Sequence, residues 1–208
     1  MTRQGGGRTG AMATDPAEPI RVATGLVVLV GPPASGKTSF VRALIERRQI
    51  DPGAVSSSDE IRAELAAGPP SDAADARIFA ERDRRLAARL ADGRTAIAES
   101  TNVTPQARAR LIALARRFAA PVTALRFEPD LGVLLRQHAE RGRTDLTGEE
   151  VRAYAELMAR HAGPGRLRAE GASAVHDVPG SRQGSTPAQA AARFSFGTGG
   201  GFGAGATR

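Results

Sequence analysis

Eight consecutive residues, 31–38, have the types and spacing of a phosphate-binding loop. They read Gly-Pro-Pro-Ala-Ser-Gly-Lys-Thr and match the pattern G-x-x-x-x-G-K-[ST] directly after an apolar run. Glycines let a backbone curl until its N–H groups face phosphate oxygens, and a following helix adds the positive end of its dipole. We expect Lys37 to reach the β- and γ-phosphates of a nucleoside triphosphate and Thr38 to ligate Mg²⁺. The expected nucleotide-binding residues are Gly31, Pro32, Pro33, Ala34, Ser35, Gly36, Lys37, Thr38 and Ser39.

Lys37 is the only lysine among the 29 lysine and arginine residues of this 208-residue chain. Arginine in place of nearly every lysine is typical of a GC-rich genome, so the exception is informative. A slim ammonium group fits among phosphates, whereas a guanidinium group is a planar fork. With its one lysine in the loop, the chain has no guanine-recognition motif N-K-x-D, which excludes the usual GTPase class.

A second polar cluster, residues 57–62, reads Ser-Ser-Asp-Glu-Ile-Arg at the end of the second predicted strand. A carboxylate at that position, here Asp59, accepts a proton from an attacking hydroxyl in phosphoryl transfer. Arg62 is one helical turn further on and is suited to holding a phosphate of the acceptor. The alternative is an ordinary helix start, with Asp59 as the N-cap and Glu60 favouring the helix dipole.

A third cluster, residues 99–102, reads Glu-Ser-Thr-Asn after the third predicted strand. Glu99 at a strand end facing the phosphate-binding loop would bind Mg²⁺ through water or orient the acceptor. Thr101 and Asn102 complete the predicted acceptor site, with Asn102 as a fixed hydrogen-bond donor. The alternative is a turn and cap before Pro105.

A fourth cluster is rich in arginine and connects two predicted helices. It contains Arg136, which we expect to contact the nucleotide, and Arg141 and Arg143, which we expect to be catalytic, followed by Asp145 and Gly148. Mobile arginines on a lid bring positive charge to a transferring phosphoryl group and exclude water. In a chain this rich in arginine, a solvated basic face is the alternative.

The elements that position these clusters alternate between strands and helices. Apolar runs predict strands over residues 26–30, 54–57, 95–98, 122–127 and 174–178, and helical periodicity predicts helices over 38–48, 72–91, 105–119, 130–141 and 149–161. Thr104 and Pro105 form the expected N-cap and first residue of the third helix. The alternation predicts a three-layer α/β sandwich whose mainly parallel five-stranded sheet is covered on both faces, with a helical lid. Ligands of such sheets gather at the carboxyl ends of the strands, where the first three clusters fall.

Composition limits the remaining possibilities. The chain has no cysteine, which excludes disulfides and thiolate metal sites, and its three histidines lack metal-ligand spacing. No apolar run is long enough to span a membrane, and we expect a cytoplasmic protein. We expect a disordered N-terminal extension over residues 1–20, one domain over 21–180 and a disordered glycine-rich tail over 181–208. The formal net charge of +7 is weak support for nucleic-acid binding because three arginines of that excess lie in the tail.

Taken in order, the four clusters resemble the P-loop kinases that phosphorylate 5′-hydroxyl ends of nucleic acids, particularly the kinase module of bacterial and phage polynucleotide kinases. The resemblance covers about residues 25–178 and rests on the loop, on Ser-Ser-Asp-x-x-Arg and on the acid-x-Thr-Asn-x-x-Pro-x-x-Arg segment ending at Arg108. A wider zeta-toxin-like group that includes small-molecule kinases shares these motifs. The resemblance implies a P-loop NTPase fold, ATP and Mg²⁺ as cofactors, and Asp59 as general base.

The same resemblance assigns Arg62 to a phosphate of the acceptor and a lid arginine, Arg141 or Arg143, to the phosphates of ATP. The chain has Glu99 where the family usually has Asp, and Leu146 where a second lid arginine is expected. Expected partners are a nucleic-acid 5′ end or a small-molecule acceptor, without a membrane and with no protein partner identified. Two alternatives stay open: a kinase of the same fold acting on a small-molecule hydroxyl, and a regulatory module that binds ATP and hydrolyses it slowly.

Overall fold

A computed structural model describes residues 18–65, 71–140, 142, 146–180 and 183–197. The strands are β1 (Ile20–Val22), β2 (Leu26–Val30), β3 (Val55–Ser57), β4 (Ala96–Glu99), β5 (Val122–Arg126), β6 (Ala174–Asp177) and β7 (Phe194–Phe196). The helices are α1 (Lys37–Glu46), α2 (Ser58–Glu64), α3 (Asp72–Ala91), α4 (Pro105–Arg117), α5 (Leu131–Glu140), α6 (Gly148–His161), α7 (Pro164–Glu170) and α8 (Pro187–Ala192). The predicted strands and helices are all present, with ends shifted by one or two residues.

The main sheet has five strands in the order β3-β4-β2-β5-β6. Every neighbouring pair is parallel, and β2 lies at the centre with Val28 paired to Ala98 of β4 and to Ala124 of β5. Parallel strands need crossover connections, which the intervening helices supply. The predicted α/β class with a five-stranded sheet is confirmed.

Alternate residues of β2 face two separate cores, which explains why the whole strand is apolar. Leu26, Val28 and Val30 pack with side chains of α3, α4, α6 and α7 on one face. Val27 and Leu29 pack with side chains of α1, α8 and β7 on the other. Because a strand buried on both faces has no polar side, its sequence reads as a continuous hydrophobic run.

Polar side chains cap the helices that begin near the sheet. Thr104 accepts a hydrogen bond from the N–H of Ala107 with Pro105 in the first helical position, which confirms the predicted start of α4. The N-cap of α2 is Ser57, whose hydroxyl accepts from the N–H of Glu60. The alternative in which Asp59 is the cap is therefore wrong, since Asp59 lies inside the first turn of α2.

The C-terminal region differs from the expected disordered tail. Helix α8 is followed by β7, which pairs with β1 as a separate two-stranded parallel sheet. Phe194 and Phe196 are buried on alternate positions of β7. The expectation of disorder over 181–208 is wrong for residues 183–197. It was based on the glycine-rich end of this stretch, and the short amphipathic segment before that end was not recognised. The expected N-terminal extension over residues 1–20 overlaps the folded part of the chain, because β1 begins at Ile20.

Helices α5 and α6 form a hairpin after β5 and pack against each other. This hairpin lies where the helical lid is predicted, and Leu134 of α5 is fully buried. Arg141, Arg143 and Asp145 lie outside the described residues. Among the residues the structure describes, no helix is long and apolar enough to cross a membrane.

Candidate active site

The phosphate-binding loop connects the end of β2 to the start of α1, and two glycines shape it. A Cβ at Gly31 would lie 2.8 Å from both the carbonyl oxygen of Phe127 and Oγ of Ser35, so no larger residue fits there. Gly36 has φ of 93°, in the left-handed region that favours glycine. The N–H of Gly31 donates to the carbonyl of Thr101 at 2.9 Å, which ties the loop to the end of β4.

The Lys37 side chain lies across the inside of this loop. Its Nζ donates to the carbonyl oxygens of Gly31 at 2.9 Å and Pro32 at 2.7 Å, and to Oγ of Ser35 at 3.2 Å. Lys37 is only 9% exposed, so its charge is held close to the loop backbone. The only lysine of the chain is thus placed where phosphate oxygens would be bound.

Prolines at two loop positions decide which backbone groups are able to contact a phosphate. Pro32 and Pro33 have no N–H, so their expected part in nucleotide binding is to shape the loop. The N–H groups suited to phosphate are those of Ala34 and of residues 36–38, which lead into α1, since the N–H of Ser35 donates to the carbonyl of Pro32 at 3.3 Å. Ala34 has a left-handed φ of 63°, which turns the chain towards that helix.

Thr38 and Glu99 meet at the bottom of the site. The hydroxyl of Thr38 donates to Oε1 of Glu99 at 2.6 Å. Burial raises the pKa of Glu99, while the hydrogen bond from Thr38 and the charge of Lys37 act in the opposite direction. Glu99 therefore lies directly under the phosphate-binding loop, as the sequence predicted for the end of the third strand.

Asp59 and Glu60 lie in the first turn of α2, at the same edge of the sheet, and both are exposed. Their negative charges further raise the pKa of Glu99. Ser57 at the end of β3 pairs with Glu99 at the end of β4, so the acids that follow β3 lie at the same edge of the sheet as Glu99.

Arg62 extends from α2 to Asp75 of α3 and forms an ion pair with it. Its Nη1 is shielded from solvent and has no hydrogen-bond partner among the described residues. Asp75 therefore orients the Arg62 guanidinium group, and the sequence pattern contained no sign of this contact.

Asn102, a predicted acceptor contact, follows β4 and is 1% exposed. Its Nδ2 donates to the carbonyl of Leu29 at 2.8 Å. Its φ of 48° is left-handed, as suits the tight turn after β4. Asn102 therefore holds β2 against the turn, and its contact with the acceptor stays a prediction. Thr101 is half-buried and takes part through its backbone carbonyl, which binds the loop.

Arg108 ends the motif segment and is a buried anchor. Its Nη1 donates to the carbonyl of Asn102 at 2.9 Å, Nη2 to the carbonyl of His161 at 2.7 Å, and Nε to Glu170 at 2.7 Å. One guanidinium group thus joins the turn after β4 to the ends of α6 and α7. The spacing of the motif indicated that Arg108 matters, while its buried partners are visible only in the fold.

A cavity of about 130 Å³ lies beside the loop. The Phe40 ring, the ends of β5 and β6 and the segment leading into α8 form its walls. From α5 the lining residue is Gln137, whereas Arg136, the expected nucleotide contact, is exposed. The C-terminal residues Gln183, Ser185, Pro187 and Ala190 complete the cavity, and this contribution was missed at the level of sequence.

The donor set fits Mg²⁺ held together with a phosphate ligand. Thr38 and Glu99 offer a hydroxyl and a carboxylate, the hard oxygen ligands that Mg²⁺ prefers. Within the described part of the chain, no group of three or more histidine, cysteine or acidic residues is arranged to hold a metal by itself. A divalent ion here would depend on phosphate oxygens as further ligands.

The fold and this loop define a P-loop protein, and the sequence agrees. Residues 26–162 match the family described as AAA domain, and the chain belongs to that family. The matched stretch runs from β2 through α6 and includes the phosphate-binding loop, Asp59, Glu99 and the α5–α6 hairpin. No curated protein matches the sequence.

Solved structures share the fold at low sequence identity. A chain of the Pnkp1/Rnl/Hen1 RNA repair complex has a TM-score of 0.58 and 19% identity, covering 69% of this chain and 45% of that one. A sugar kinase from Janibacter sp. HTCC2649 has a TM-score of 0.55 and 16% identity, with coverage of 82% and 91%. Shikimate kinase from Acinetobacter baumannii has a TM-score of 0.52 and 15% identity, with coverage of 82% and 90%. The chain therefore has the fold of the P-loop kinases and spans less than half of the RNA repair chain.

Proposed function

We propose that the protein is an ATP-dependent kinase that transfers the γ-phosphoryl group to the 5′-hydroxyl end of DNA or RNA. The observation that carries the proposal is that the Thr38–Glu99 hydrogen bond and the Asp59 carboxylate lie at the ends of neighbouring strands, beside the phosphate-binding loop. Phosphoryl transfer depends on positioning and on neutralising charge, with little covalent chemistry from the protein. These residues supply both requirements at one edge of the sheet.

The triphosphate of ATP would lie along the loop. Lys37 would exchange its hydrogen bonds with the carbonyls of Gly31 and Pro32 for bonds to β- and γ-phosphate oxygens. The N–H groups at the start of α1 would bind the same oxygens. Thr38 and Glu99 would hold Mg²⁺, which when bound neutralises phosphate charge.

Asp59 would act as the general base. Its carboxylate would take the proton of the acceptor hydroxyl as that oxygen bonds to the γ-phosphorus and the bond to the β–γ bridging oxygen breaks, leaving ADP. Arg62, oriented by Asp75, would bind the phosphate next to the acceptor hydroxyl. Contacts of Arg136, Arg141 and Arg143 with the phosphates of ATP stay predictions.

The nucleoside of ATP would occupy the cavity beside the loop. Phe40 and Phe127 provide apolar surface there, and Gln137 and Gln183 provide amides. Sites for small molecules commonly combine apolar walls with a few polar groups in this way. The cavity begins at Ser35 and Gly36, so a nucleoside in it is continuous with phosphates in the loop.

The likeness to a chain of an RNA repair complex supports a nucleic-acid end as the acceptor. The test is incubation of the full-length protein with labelled ATP and oligonucleotides that carry a 5′-hydroxyl. Asp59→Asn should lower kcat by about 10²- to 10⁴-fold, the usual contribution of a general base. Glu60→Gln removes the neighbouring exposed carboxylate and should retain activity. Equal activity of the two variants would overturn the role of Asp59.

A small-molecule hydroxyl is the second candidate acceptor. Among the described residues every aromatic side chain is buried or half-buried, so none presents a fully open ring face on which bases would stack. The likeness to a sugar kinase and to shikimate kinase extends over more of the chain than the likeness to the RNA repair chain. Transfer to sugars or hydroxy acids, with none to oligonucleotides, would favour this candidate.

A further inference from the structure

A second charged basin lies at the opposite edge of the main sheet from the candidate active site. It is formed where α1 and α3 end and where β3 and β4 begin, and it encloses about 310 Å³. Three arginines line it, Arg48, Arg89 and Arg94, together with one acid, Asp51. We call this group of four residues the arginine basin.

The arginine basin has an excess of positive charge. Arg89 donates to both oxygens of Asp51, at 3.0 and 2.7 Å, and Arg94 donates to one of them at 3.3 Å. These bonds, that from Arg89 most of all, lower the pKa of Asp51 and keep it ionised. Arg48 has no ion pair recorded among the described residues and is exposed. One carboxylate therefore balances only one of three guanidinium groups.

Two further polar atoms at the basin lack partners. Oε1 of Gln49 and Oγ1 of Thr95 are shielded from solvent and have no hydrogen bond within the described part of the chain. The Thr95 hydroxyl is a donor, and turning the Gln49 amide by half a rotation puts its NH₂ group in place of the oxygen. Buried polar atoms without partners are uncommon and call for a ligand or an ordered water.

Arginines near the ends of helices also have a structural use, since cations stabilise helix C-termini. Arg89, in the last turn of α3, also has a structural role, because its Nε donates to the carbonyl of Thr95 at 2.8 Å while the rest of the group bridges to Asp51. Arg48 directly follows α1, so its charge also lies near a helix C-terminus. Its φ of 55° is left-handed, at a place where glycine is the usual residue, and its side chain forms no ion pair within the described ranges.

We propose that the arginine basin binds a phosphate group, at a site separate from the phosphate-binding loop. Planar guanidinium forks bind pairs of phosphate oxygens, and Arg48 and Arg94 provide two such forks. The Arg89–Asp51 pair holds Arg94 in position, and the unpartnered Gln49 amide and Thr95 hydroxyl would add donors after turning out of the wall of the basin. The proposal is independent of the proposed kinase activity, since none of these residues lies at the candidate active site.

The test uses full-length ¹⁵N-labelled protein saturated with Mg²⁺ and a non-hydrolysable ATP analogue. Inorganic phosphate is titrated while backbone amide shifts are followed. Saturable shifts are expected at Gln49, Arg94 and Thr95, and R48Q/R94Q should weaken this binding by about tenfold or more. Arg42→Gln is the matched control, because Arg42 is exposed on α1 and outside the basin. The single variant Arg48→Gln changes an exposed side chain and covers the case in which the double variant does not fold.

Shifts confined to the phosphate-binding loop, or equal affinity in R48Q/R94Q and in Arg42→Gln, would overturn the proposal. A parallel titration with 5′-phosphorylated dT₆ identifies the source of the phosphate. Tighter binding of the oligonucleotide that depends on Arg48 indicates a nucleic-acid phosphate. Tighter binding of inorganic phosphate indicates a small phosphorylated compound. Each chemical shift is assigned to one residue. Phosphate binding at the arginine basin can therefore be measured even if the ATP analogue does not bind at the phosphate-binding loop.

Discussion

The hydroxyl of Thr38 donates a 2.6 Å hydrogen bond to the carboxylate of Glu99, which lies 61 residues further along the chain. This contact joins the first turn of α1 to the carboxyl end of β4. It exists because β2 and β4 are neighbours in the sheet, with the loop after β2 and the end of β4 at the same edge. In P-loop proteins the hydroxyl at this position of the loop ligates Mg²⁺. In this structure the corresponding hydroxyl, that of Thr38, is hydrogen-bonded to the carboxylate of Glu99.

Glu99→Gln should remove a pH-dependent loss of stability. Burial raises the pKa of Glu99 above its value of 4.5 in an unfolded chain, so the folded protein holds this proton more tightly. Its contribution is fully present below the unfolded pKa and is lost as the pH rises through the folded pKa. The free energy of unfolding of Glu99→Gln, minus that of the wild type, should therefore increase as the pH rises above 4.5 in urea titrations. Glu156→Gln, on an exposed carboxylate of α6, is the control, and a difference that does not vary with pH would contradict the prediction.

Lys37→Arg should abolish most of the activity even though the charge is kept. The Lys37 ammonium fits between the carbonyls of Gly31 and Pro32, and a planar guanidinium is too wide for that position. We expect kcat/KM to fall by about 10²- to 10³-fold, as on removal of a charge-stabilising donor. Steady-state kinetics with ATP measure it, with Arg42→Gln on the outer face of α1 as control. Wild-type kinetics in Lys37→Arg would show that shape at this position is unimportant.

Arg62→Ala distinguishes the two classes of acceptor. If Arg62 binds the phosphate beside the reacting hydroxyl, the variant should raise KM for a 5′-hydroxyl oligonucleotide by about tenfold, the worth of one charge-assisted contact. KM for an acceptor without a phosphate should not change. Arg77→Ala, on the exposed surface of α3, is the control. Equal effects on both acceptors would show that Arg62 acts only through its ion pair with Asp75.

Arg108→Ala should destabilise the fold strongly. It would leave the carboxylate of Glu170 and the carbonyls of Asn102 and His161 without their donor. Breaking a buried ion pair by removing one partner costs about 3–5 kcal/mol. Arg110→Ala on the same helix removes an exposed ion pair with Asp83 and should cost less than about 1 kcal/mol. Urea denaturation of both variants is the measurement, and similar costs would refute the anchoring role.

Phe194→Ala should loosen the C-terminal segment from α1. Phe194 is 1% exposed and lies edge-on to Phe40 at 5.6 Å between ring centroids. Truncation of a buried phenylalanine costs about 3–5 kcal/mol. Because the segment before β7 lines the cavity beside the loop, KM for ATP should also increase. Ser195→Ala, on the exposed side of β7, should be neutral in both measurements.

Local patterns predicted the main sheet and its helices well. Strand β2 is apolar throughout, α3 has regular hydrophobic spacing, and Thr104 with Pro105 marks the start of α4. The prediction of disorder failed for α8 and β7, because it was based on the average composition of residues 181–208. Phe194 and Phe196 are only two apolar positions beside a glycine-rich end, and their burial depends on β1 being available as a partner.

The sequence by itself determined the phosphate-binding loop, the helix starts and the clustering of Asp59 and Glu99 at strand ends, because these depend on short-range geometry and on the rules of parallel sheets. Only the tertiary structure decided what each polar side chain contacts. Asn102 and Arg108 belong to one motif with Glu99, yet they are buried and bond to backbone carbonyls, whereas Glu99 meets Thr38. The reason is physical: a hydrogen bond needs its partner within about 3 Å, and for residues far apart in the chain the packing of the sheet and helices sets that distance.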